Sequence, residues 1–105
     1  MKKWILSGIS ILFLISNMAF AENSLYEKAI DAYRKGDFKG AVETLKNYLS
    51  EKPDPKGYYL LGYASYKLRQ HKEASEYFRQ AYLIDPDFNP ESVKSEIRSA
   101  KRRTK

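Results

Sequence analysis

Cysteine is absent from all 105 residues, and that absence excludes much chemistry at once. Haem attachment through thiols, thiolate zinc sites, iron–sulfur clusters and thiol catalysis all need the missing side chain. Disulfides, which small exported domains use to offset a thin core, are excluded too, as is a lipid anchor on cysteine. Histidine is nearly absent: His71 stands alone, with no second imidazole to share a metal. Its expected task is partial packing at a helix start. No glycine-rich phosphate loop and no nucleophile elbow occur. Glu73 and Glu76 share a helix face, as acid pairs do in hydrolases, but no apolar stripe places them in a cleft. Asp85 and Asp87 flank Pro86 and read as turn chemistry. No residues remain to carry catalysis or to hold a cofactor or a metal, so no enzyme is expected.

What is present begins with a leader. Positions 1–21 run from Lys2-Lys3 through the apolar stretch Trp4 to Ile15 and close on Ala19-Phe20-Ala21. A charged end, a short apolar core and a small-residue exit form the order of a secretory signal peptide. Cleavage is expected after Ala21, leaving Glu22 to Lys105 as one small bacterial domain in the periplasm or outside the cell. Left uncleaved, the segment from Trp4 to Phe20 sits at the bottom of the membrane-spanning range of lengths. The small-x-small exit and the polar Glu22-Asn23 favour cleavage.

The formal charge of +6 is concentrated at one end. Residues 94–105 hold six bases against Glu96, a net of +5, while residues 22–93 sum to −1. A basic footprint confined to one short segment does not make a nucleic-acid-binding face.

Self-similarity organises the remainder. Residues 25–53 align without gaps on residues 58–86, at a spacing of 33. Ala41 falls on Ala74, Leu45 on Phe78, Leu49 on Tyr82 and Pro53 on Pro86, and Tyr26, Ala29 and Tyr33 fall on Tyr59, Gly62 and Tyr66. Each unit predicts two helices. Leu25, Ala29, Ala32 and Tyr33 form the first apolar stripe, and Phe38, Ala41, Val42, Leu45, Tyr48 and Leu49 the second. Gly36 supplies the left-handed break between them. Tyr58, Leu61, Gly62, Ser65 and Leu68, then Ala74, Phe78, Ala81 and Tyr82, repeat the arrangement. A fifth helix is predicted after Asn89-Pro90-Glu91, carrying Val93, Ile97 and Ala100.

These residues resemble the tetratricopeptide repeat, whose pattern is an aromatic, Leu-Gly, an aromatic, Ala-x3-Phe and Pro over about 34 residues. The second unit supplies Tyr58, Leu61-Gly62, Ala74, Phe78, Ala81 and Pro86, with Ser65 where an aromatic is usual. The first is looser, with Leu25, Lys28-Ala29, Gly36, Phe38, Ala41, Leu45 and Pro53. The resemblance implies an all-α superhelix of helix hairpins. Its two repeats would occupy about residues 22–54 and 55–88, and residues 89–105 would form a capping helix with a basic tail. One hairpin cannot bury its own apolar face, so each unit leans on the next and the last helix is expected to cover repeat two.

The resemblance also implies that first helices line a concave groove. On them Tyr26, Ile30 and Tyr33 recur as Tyr59, Tyr63 and Tyr66, each stripe followed by a base, Arg34 and Lys67. This predicts a tyrosine-walled trough with a cationic edge, able to hold a segment of another protein. The competing role for these tyrosines is to fill the inside curve. Val93, Ile97 and Ala100 either extend the trough or pack on repeat two, and packing is expected because they are the last helix's main apolar residues. The expectation is a non-enzymatic adaptor that binds a protein or peptide. A first alternative is an anionic-surface binder, touching lipid or cell wall peripherally through Lys101, Arg102, Arg103 and Lys105. A second is a subunit that associates with its own copies.

Overall fold

The computed structural model describes residues 25–103, with the backbone alone for Arg102 and Arg103. The leader at 1–21 and the tail residue Lys105 lie outside the described residues. Five helices and no strand are found among the described residues. They are α1 at residues 25–34, α2 (Phe38–Glu51), α3 (Pro55–Lys67), α4 (His71–Ile84) and α5 (Glu91–Arg103). Among these residues no helix is long and apolar enough to cross a membrane.

Local chemistry sets the boundaries. Gly36 adopts φ 85° between α1 and α2, the left-handed conformation predicted for it. Asp37 then caps α2, its Oδ1 accepting from the Gly40 N–H at 3.0 Å. Asp54 caps α3 by accepting from the Lys56 N–H at 3.1 Å, with Pro55 opening the helix. Asn89 does the same before α5, accepting from the Glu91 N–H at 3.0 Å. The second hairpin turns with poorer chemistry. Arg69, the counterpart of Gly36 in the second unit, takes φ 65° without glycine's freedom, and Gln70 makes no side-chain cap for α4.

The helix α3 is central, packing on α2, α4 and α5. It buries Gly57, Leu60, Leu61, Gly62, Ala64 and Ser65, and small residues let its neighbours come close. A Cβ on Gly62 would lie 2.4 Å from the Phe78 ring of α4, so the α3–α4 crossing requires glycine there. Leu45, Leu60, Leu61 and Val93 are the largest apolar side chains buried completely.

The last helix departs from the repeat's progression. By analogy with α3 on α2, the next helix would pack on α4, yet α5 packs on α3 and not on α4. It turns back onto the face where α1 and α3 present their tyrosines. Val93 and Ala100 are buried in the same core as Tyr26, Ala29 and Ile30, with Ile97 packed against it. The packing expected of these three residues is therefore met, but on the first helices. The end of α4 is left uncovered, so Tyr82 is 40% exposed where its counterpart Leu49 in α2 is 8% exposed.

Candidate functional site

Helical spacing places the predicted stripe residues of α1 and α3 on one face, and α5 lies along that face. A cleft opens on either side of it, and the two differ in chemistry.

The first cleft, about 720 Å³, is lined by parts of α1, the α2–α3 connection and α5. Tyr26 and Ile30 form its floor and are only 8% and 3% exposed, so both belong to the core as well. Three carboxylates, Glu27, Asp54 and Glu96, share the lining with Lys52 and Lys56. Much of this charge is paired internally. Lys56 Nζ donates to Glu96 Oε1 at 2.9 Å and sits 5.4 Å from the centre of the Tyr26 ring. Tyr48 donates its hydroxyl to Asp54 Oδ2 at 2.8 Å, and its ring lies 5.6 Å from that of Tyr26. The Tyr26 hydroxyl is buried, and among the described residues no group forms a well-aligned hydrogen bond with it. Burial first, and then the nearby Glu96 and Asp54 carboxylates, push its pKa far above the usual tyrosine value.

The second cleft, about 460 Å³, is bounded by Tyr33 of α1, by Tyr63, Tyr66 and Lys67 of α3, and by Lys94 and Ile97 of α5. Its walls are aromatic faces and one aliphatic chain. The rings of Tyr33 and Tyr63 lie 6.4 Å apart, and Phe38 meets Tyr33 edge-on at 5.3 Å. Burial raises the pKa of both Tyr33 and Tyr63 above the usual tyrosine value. Tyr66 is 56% exposed and stacks edge-on against His71 at 4.8 Å, so the lone histidine packs at the start of α4.

The predicted site residues thus separate. Tyr33, Tyr63, Tyr66 and Lys67 come together in the second cleft, while Tyr26 and Ile30 belong to the first. Tyr59 lines neither, because it sits in an aromatic cluster with Tyr63 at 4.9 Å, Phe78 at 4.7 Å and Phe88 at 5.3 Å. Arg34 is half-buried, and its Nε has no hydrogen-bond partner among the described residues. On the tail, Lys101 is exposed at the end of α5. Lys94 and Lys56 were not singled out by the sequence. Lys94 lies one turn before Ile97, so the apolar stripe of α5 held the signal for it.

Residues 55–88 match the family model of the tetratricopeptide repeat. No curated protein and no solved structure matches the chain. Tetratricopeptide repeats generally bind other proteins or peptides and are typically non-enzymatic, and the match suggests a protein-interaction role. The match covers α3 and α4, and α1 and α2 carry the same pattern one unit earlier; the match and the all-helical hairpins of the described residues together support a repeat protein of the tetratricopeptide type.

Proposed function

We propose that this protein is an exported, non-catalytic adaptor of the bacterial envelope, which holds a segment of another protein in the cleft between α1, α3 and α5. One observation carries the reading. Tyr66, an aromatic residue more than half exposed, stands beside Tyr33 and Tyr63 at the mouth of a cleft walled by Ile97. Tyrosine offers a flat apolar surface plus one hydroxyl at low entropic cost, the combination that anchors peptide segments. The leader at 1–21 supplies the route to the envelope.

The test is affinity capture of the tagged full chain from the envelope fraction. The recovered protein should begin at Glu22 and bring down a partner. Tyr66→Ala should reduce capture at least tenfold while leaving the thermal melt unchanged. Capture that survives Tyr66→Ala combined with Tyr63→Ala would sink the reading, as would a protein recovered only in the cytoplasm.

A further inference from the structure

The lining of the second cleft is chemically one-sided. Its polar groups are the hydroxyls of Tyr33, Tyr63 and Tyr66 and the ammoniums of Lys67 and Lys94. All five can donate hydrogen bonds, and no carboxylate or side-chain amide faces them from the lining. The acids of α5 have other bases as their hydrogen-bonded partners, while Glu91 still lies close enough to Tyr63 and Lys94 to act on both electrostatically. Glu96 lines the first cleft and bonds Lys56. Glu91, on the same helix as Lys94, is held by Arg98 Nη2 at 2.6 Å, which keeps its carboxyl below the usual range. Lys67 and Lys94 form none of the ion pairs of the described residues. A basic segment would repel the two ammoniums, and a neutral one would offer them carbonyl oxygens but no opposite charge. An acceptor-rich, negatively charged segment would satisfy them, while Ile97 and the ring faces accommodate a large apolar side chain.

Resting on the adaptor reading above, we propose that the cleft between α1, α3 and α5 selects an internal acidic peptide segment, with Asp or Glu residues flanking one large apolar side chain. Lys67 from α3 and Lys94 from α5 meet the carboxylates from two sides, and the tyrosine hydroxyls donate to the same oxygens or to the peptide carbonyls. Because Lys94 belongs to α5, the folded-back helix contributes half of the recognition. A free terminal carboxylate is not required, since the cleft offers no single enclosed anion position but a spread of donors.

The experiment is an NMR titration of the isotope-labelled full chain with an acetylated and amidated octapeptide, Gly-Asp-Glu-Leu-Phe-Glu-Asp-Gly. The matched control replaces each Asp by Asn and each Glu by Gln. The acidic peptide should shift the amides of Tyr63, Tyr66, Lys67 and Lys94, bind at least tenfold more tightly than its neutral control, and weaken as salt rises. Lys67→Glu with Lys94→Glu should cost at least tenfold in Kd, whereas the same charge change at exposed Lys28 and Lys46 should cost less than threefold. All four lysines are exposed, so these variants keep the fold.

Equal binding of the neutral control overturns the acidic preference and leaves the adaptor reading standing. Failure of the acidic peptide, with a captured partner still dependent on Tyr66, has the same consequence. Failure of both the peptide and the Tyr66-dependent capture removes both readings together. Oligothymidylate or inorganic phosphate shifting the same amides more tightly than the acidic peptide overturns the assignment in favour of a phosphate ligand.

Discussion

The two clefts beside α5 are built from the same tyrosine stripe, yet one holds acids and bases together with an ion pair between them, and the other is lined with donors only. On the Tyr26 side, Lys56 and Glu96 join α3 to α5, and Ile30 is sealed at 3% exposure. On the Tyr66 side no ion pair of the described residues joins α3 to α5. Because α5 crosses both regions, its register decides which half of the face serves stability and which half is available to a ligand. An identical residue type therefore plays different parts within one stripe, packing at Tyr26 and solvent-facing at Tyr66.

The largest expected contrast comes from truncating one residue on each side. Ile30→Ala removes a buried branched chain between α1 and α5 and should cost about 2–4 kcal/mol in denaturant unfolding. Tyr66→Ala should change stability by less than about 0.5 kcal/mol. Similar losses at both positions would erase the distinction. A smaller contrast lies in alkaline behaviour. Tyr26 has a folded pKa raised above the unfolded value of about 10, so its neutral form stabilises the fold fully below that pH. This contribution is lost as pH rises above about 10, because the unfolded chain then releases the proton first. Melts between pH 9 and about 11 should therefore fall steeply in the parent and less steeply in Tyr26→Phe. Tyr63→Phe should flatten the curve less, since Tyr63 is less buried than Tyr26 and its interaction with the Tyr59 hydroxyl works against the rise. The smallest effect belongs to the Lys56–Glu96 bridge, whose partners are 41% and 34% exposed. Lys56→Ala should cost about 0.5 kcal/mol at low salt and nearly nothing at about 1 M, as equilibrium unfolding at the two ionic strengths would show.

Periodicity and repeat spacing made most of the architecture legible. The offset between the two units located both hairpins, and Gly36, Asn89 and the stripe of α5 marked their turns and ends correctly. The offset also hides a difference, since Gly36 and Arg69 adopt the same left-handed turn although only glycine does so without strain. What the sequence did not reveal was the direction α5 takes after Asn89-Pro90. Stacking on α4 and folding back over α3 bury the same Val93 and Ala100, so the apolar pattern is equally consistent with both. For that reason the division of the tyrosines between two clefts, and the arrival of Lys94 beside Lys67, became visible only in three dimensions. The absence of an aromatic at Ser65 is explained there as well, since its side chain is enclosed at 1% exposure in the last turn of α3.

The return of α5 changes how the molecule is connected. A repeat array ordinarily links only neighbours, so it can come apart one unit at a time, from whichever end is weaker. Here the final helix touches the third, and its Glu96 carboxylate lies near Tyr26 in the first. Loss of α1 therefore uncovers α5, and loss of α5 uncovers α1. The array is tied from its last helix back to its first, and a chain tied in that way has no separate unit to shed. Unfolding in a single step is the expected consequence, as in a globular domain with distant parts of the sequence in one core.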